Sequence, residues 1–144
     1  MTRDTTIVVR RLLAAPREEI FAAWLDPDSL AQWMAPGETT SATAEVEPRV
    51  GGRFLIVMKH GDQAWEHRGE YLRIEPPSLL SFTWISEGTE QRPTVVTVEL
   101  HERSGGTELV LTHRGLPPAQ MDSHHQGWTD IVRKLDETLE AGEA

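Results

Sequence analysis

Six histidines and a single tyrosine are the side chains of this 144-residue chain best suited to acid–base or metal chemistry. His124 and His125 stand side by side in SHHQGWTD, residues 123–130. A helical zinc pair needs its histidines four apart, as in H-E-x-x-H, because that spacing puts both rings on one face. Adjacent residues point about 100° apart on a helix, so this pair does not grip one ion. With no cysteine there is no thiolate site, and neither a metal nor a cofactor is expected. Two further histidines lie in strand-like stretches. In WEHRGEY, residues 65–71, the charged Glu66, Arg68 and Glu70 seek water, which turns Trp65, His67 and Tyr71 inward. In TELVLTHR, residues 107–114, Glu108 and Arg114 face out while Leu109, Leu111 and His113 face in. His67, Tyr71, His113 and His124 are therefore the candidate acids and bases. The plainer reading is that each ring satisfies a neighbouring polar group inside the fold. His60 and His101 flank turns and are expected in solvent.

No nucleophile stands out. Ser81, Ser86, Ser104 and Ser123 lie in no G-x-S-x-G frame. The glycine pairs Gly51–Gly52 and Gly105–Gly106 open no helix, so they read as turns rather than phosphate loops. The 23 acids are scattered without a preferred pair. Gly127 is more telling, because glycine inside a helix costs about 1 kcal/mol relative to alanine. Close packing against another element is expected there, with space for a ligand as the other explanation.

The elements that must position these residues can be read from periodicity. TTIVVRRLLA is β-rich and reads as a first strand. REEIFAAWL and DPDSLAQWM read as two short helices, the second capped by Asp26 with Pro27 in its first turn. APGETT ends the pair. ATAEVE, RFLIVMKH, AWEHRGEYLRI, LLSFTWI, TVVTVELHE and TELVLTHR then alternate as strands, with SEGTEQRP a polar loop and RSGG a hairpin turn. In the last third Met121, Trp128, Ile131, Val132, Leu135 and Leu139 fall within about 100° of helical arc, leaving Arg133, Asp136, Glu137 and Glu140 off that stripe. EAGEA is expected to fray. A mostly antiparallel sheet packed on one long terminal helix is the simplest two-layer solution, an α+β fold.

Composition narrows the function classes. The length suits one domain spanning 1–144 with an adequate core. A formal charge of −9 disfavours nucleic acid and anionic membranes. The longest apolar run, FLIVM, is too short to span a bilayer, and the N-terminus has no signal-peptide pattern. A cytoplasmic protein is expected. Five of the nine aromatics are tryptophan, at 24, 33, 65, 84 and 128, all on inner faces. Core packing explains them, yet such rings also suit a pocket for an apolar molecule with polar edges.

IFAAWLDPDSLAQWMAP, RVGGRF, GEYLRIEPPSLLSFTW, GGTELVLTHRGL and HHQGWTDIVRKLDETL, in this order, resemble the SRPBCC superfamily. The resemblance is greatest to the branch named after the activator of the heat-shock chaperone ATPase, and it spans about residues 7–139. It implies a bacterial protein with the START-like helix-grip fold also seen in birch-pollen allergens. That fold is a curved antiparallel sheet of about six to seven strands around a long C-terminal helix, with two short helices after strand one and a cavity between. His124, Gly127 and Trp128 match the branch's H-x-x-G-W signature, and Gly51–Gly52 matches its turn before the third strand. His125 matches nothing in it. Met34 departs from relatives that carry a second tryptophan after Trp33, which points to a differently shaped pocket entrance.

The function expected is binding of a small hydrophobic molecule, such as a lipid, in a cavity lined by Trp65, His67, Tyr71, Phe82, Trp84, His113, His124 and Trp128. A cyclase- or hydrolase-type enzyme using His67, Tyr71, His113 or His124 is the alternative, and a co-chaperone or regulatory partner is the third reading. An exposed sheet edge allows a homodimer.

Overall fold

A computed structural model describes residues 5–35 and 41–142. Strand β1 (Ile7–Leu13) leads into helices α1 (Arg17–Leu25) and α2 (Pro27–Trp33). Six strands follow: β2 (Ser41–Val46), β3 (Arg53–His60), β4 (Gln63–Glu75), β5 (Leu79–Trp84), β6 (Thr94–Arg103) and β7 (Gly106–Arg114). Helix α3 (Met121–Gly142) closes the chain. It runs into the stretch expected to fray, of which residues 143–144 lie outside the described ones, as does most of the APGETT segment.

All strands pair antiparallel in one sheet, in the order β1-β7-β6-β5-β4-β3-β2. The sheet curls as a half-barrel about α3, which is the helix-grip arrangement. Local chemistry sets the elements. Asp26 caps α2 by accepting from the Asp28 N–H at 3.0 Å, and Pro27 occupies the first turn, where no donor is missed. Alternation in β3, β5 and β7 buries Phe54, Ile56, Met58, Leu80, Phe82, Trp84, Leu109, Leu111 and His113. These meet the α3 stripe of Trp128, Ile131, Val132, Leu135 and Leu139. Trp24 of α1 and Trp33 of α2 cross edge to face, with centroids 4.8 Å apart, and cover one end of the sheet.

Asp136 departs from the expectation that it lies off the buried stripe. Its carboxylate is only 12 % exposed and accepts from Arg11 Nε at 2.8 Å, tying α3 to β1. Arg11 shares the inward parity of Val9 and Leu13, so its stem lies along the core while the guanidinium reaches the helix.

Candidate functional site

His124, Trp128 and Ile131 follow one another at helical spacing along the face of α3 that looks towards the middle strands. Opposite them stand Met58 of β3, Trp65 and His67 of β4, and Trp84 of β5. Ser86, Glu87 and Gly88 form one side wall, while Gln120, Ser123 and Gly127 flank the helical side. Together they bound a cleft of about 470 Å³, within the size range of small-molecule sites. Three indoles contribute to its walls: the Trp84 and Trp128 rings lie 5.0 Å apart, the His67 ring lies 5.1 Å from Trp84, and Trp65 completes the set.

Five of the eight expected lining residues meet here: Trp65, His67, Trp84, His124 and Trp128. The other three do not. Tyr71 and Phe82 pack with Phe54, Trp24, Leu30 and Met34 around a void of about 10 Å³, barely a water's worth. Phe54 causes this. Its ring lies over Gly69, where an added Cβ would come within 2.6 Å of the ring and 1.9 Å of the Thr83 carbonyl oxygen. That ring separates Tyr71 from the cleft side of β4, and it sits 5.5 Å from the tyrosine. Met34 is also core, so its substitution for tryptophan does not reshape the cleft entrance.

His113 lies fully buried behind Trp128, where its hydrogen bonds fix its tautomer. The indole N–H of Trp128 can only donate, and it donates to His113 Nδ1 at 3.0 Å. The proton therefore sits on Nε2, which donates to Thr94 Oγ1 at 2.6 Å. Thr94 in turn donates to the Trp84 carbonyl at 2.7 Å. Helix α3 and strands β7, β6 and β5 are thus joined by one satisfied chain. Burial, and secondly the charge His124 carries when protonated, push His113 down to about 3. It is a neutral structural bridge with neither nitrogen free for catalysis.

His124 and His67 both line the cleft. His124 Nδ1 lies 2.9 Å from the Gln120 carbonyl, which can only accept, so Nδ1 carries a proton and a neutral ring keeps its lone pair on Nε2. That edge rests against Gly88, where an added Cβ would fall 2.9 Å from Cε1 and 3.3 Å from Nε2. His67 Nδ1 is buried without a hydrogen-bond partner. Burial lowers His67 to about 4; the carbonyls of Trp65 and Ile56 oppose that shift, and His124 adds to it. Neither carbonyl closes a hydrogen bond on Nδ1. His125 is exposed, so the adjacent pair diverges as helical geometry requires.

The side wall at 86–88 was legible only as a polar loop. Ser86 and Thr89 form a reciprocal cap: Ser86 Oγ accepts from the Thr89 N–H, and Thr89 Oγ1 accepts from the Ser86 N–H at 3.0 Å. The S-x-x-T spacing is the signal that marks it. Arg68 pins the far side of the loop through Gln91 Oε1 at 3.0 Å. Gly127, expected at a tight contact, forms part of the cleft wall.

The comparisons with known proteins agree with this architecture. The crystal structure of protein CV1439 from Chromobacterium violaceum is 27 % identical, with a TM-score of 0.84 over 94 % of this chain and 97 % of that one. Protein MLL2253 from Mesorhizobium loti is likewise 27 % identical, with a TM-score of 0.79 over 94 % and 97 % of the two chains. CalU16 from Micromonospora echinospora is 25 % identical, with a TM-score of 0.71 over 93 % of this chain and 73 % of its own. No functionally curated protein matches the chain. Among the described residues no helix is long and apolar enough to cross a membrane. The family described as Activator of Hsp90 ATPase homolog 1-like protein matches residues 14–140, and the chain belongs to that family.

Proposed function

We propose that this domain binds a small, largely apolar aromatic molecule in the cleft between β3–β5 and the start of α3, as a cytoplasmic carrier or sensor. One observation supports it above the others: three indoles line a 470 Å³ space, beside which His67 Nδ1 lies buried and unpartnered. A site evolved only for packing would fill that space or pair that atom. Polar groups from the sheet, the 86–88 wall and the helical side, among them His67, Glu87 and His124, suit orientation of a ligand. Native mass spectrometry of the protein purified from its own host tests this reading. A retained molecule of a few hundred daltons, lost on Gly127→Leu, is expected; a bare chain from every preparation, with no uptake of added aromatic probes, would contradict it.

A second reading rests on His124. Its Nδ1–H is held by the Gln120 carbonyl, which leaves Nε2 of a cleft-lining neutral ring as the basic nitrogen, as a general base requires. Turnover of a bound molecule that disappears in His124→Gln, with binding retained, would favour an enzyme.

A further inference from the structure

We propose that the cleft selects organic cations, namely planar aromatic molecules bearing a protonated amine, with Glu87 as the charge partner. This rests on the binding reading above and adds the class of ligand. The described residues that line the cleft include one carboxylate, Glu87, and no lysine or arginine. Glu87 forms no ion pair among the described residues. The remaining polar lining adds acceptors to it. A neutral His124 ring presents the Nε2 lone pair, because its Nδ1–H is committed to Gln120. Ser86 Oγ, which accepts from the Thr89 N–H, has acceptor capacity left.

The indole walls carry the same preference. Aromatic faces are electron-rich, and a cation over tryptophan is attracted by the ring quadrupole. Trp65, Trp84 and Trp128 all line the space, so a ligand ammonium there has indole rings and acceptors within the same cleft. A carboxylate ligand would meet no fixed cation and would face Glu87. A plain hydrocarbon would fill the volume but strip water from acceptors without replacing it. Burial keeps His67 uncharged at neutral pH, so it does not oppose a bound cation. Binding is best measured at pH 8, above the ordinary imidazole range. The chain's net charge of −9 draws cations towards the surface as well.

Three probes that share a naphthylmethyl group separate the charge preference from the pocket itself. Titration calorimetry at pH 8 with 1-naphthylmethylammonium, 1-naphthalenemethanol and 1-naphthaleneacetate should rank them in that order. The cation should bind about tenfold more tightly than the alcohol, the scale of a partly exposed cation–π and ion-pair contribution. Glu87→Gln should remove most of that advantage and leave the alcohol unchanged, since the exposed side chain keeps its size and loses only its charge. Equal binding of all three probes, tighter binding of the acetate, or a cation preference untouched by Glu87→Gln would overturn the proposal while leaving the binding site standing. Failure of all three to bind would overturn both.

Discussion

The indole N–H of Trp128 donates to Nδ1 of His113 across 3.0 Å, inside a region neither side chain shares with solvent. This bond decides the role of both residues. It makes His113 an acceptor at one nitrogen and, through Thr94, a donor at the other. It also fixes the plane of the Trp128 ring that forms the back of the cleft. The tryptophan of the H-x-x-G-W signature is thereby oriented by a histidine from the sheet.

His113→Phe keeps the ring but leaves the Trp128 N–H unpaired in the core, and should cost about 1–3 kcal/mol. Trp128→Phe should be costly as well, through lost volume. Because the two share one bond, the double variant should lose less than the sum of the singles, by roughly 1 kcal/mol. Urea denaturation of the four proteins measures this coupling; strict additivity would mean the bond carries no net stability.

Stability should fall in mild acid. His113 is held down to about 3 and His67 to about 4 in the folded protein, both chiefly by burial. Once unfolded, both titrate near the ordinary value of about 6.5. The unfolded chain therefore binds more protons below that pH, and acid favours it. The contribution is whole above about pH 6.5 and declines towards pH 4 and 3, at about 1.4 kcal/mol per unit for each ring. Unfolding free energies at pH 7.5, 6 and 5 should show this slope, and His113→Phe should remove one ring's share. An unchanged slope in the variant would contradict the assignment.

Two glycines should respond oppositely to one methyl group. At Gly69 the new Cβ would meet the Thr83 carbonyl oxygen at 1.9 Å, a backbone atom that cannot step aside. Gly69→Ala should cost about 3 kcal/mol or more. Gly127 forms part of the cleft wall on a helix, so Gly127→Ala should leave stability unchanged or raise it by up to about 1 kcal/mol. Thermal melts of both distinguish them, and a Gly127→Ala variant melting well below the parent would show tight packing at this position.

Periodicity carried the fold far because it reports which face a residue takes. It placed α1 at Arg17–Leu25 and β3 at Arg53–His60, and turned Trp65, His67, Tyr71 and His113 inward. It does not report position along the interior. Tyr71 has the same parity as His67 but sits four residues further along β4, on the side closed by Phe54 and α1–α2. His113 faces in, yet α3 lays Trp128 over it. Asp136 could not be placed without Arg11, a partner 125 residues away. Ser86, Glu87 and Gly88 escaped because polar composition marks a loop without saying what the loop walls in.

Indole resonances test the binding cleft most directly. The chain has five tryptophans, and each gives one side-chain N–H signal in a proton–nitrogen spectrum. Trp65, Trp84 and Trp128 line the cleft, whereas the Trp33 N–H is held by Ser29 Oγ at 2.9 Å, away from it. Titration with 1-naphthylmethylammonium should shift the signals of Trp65, Trp84 and Trp128 saturably while that of Trp33 stays in place. No saturable shift at millimolar probe, or a Trp33 signal that moves as far as the other three, would contradict a ligand site between the sheet and α3.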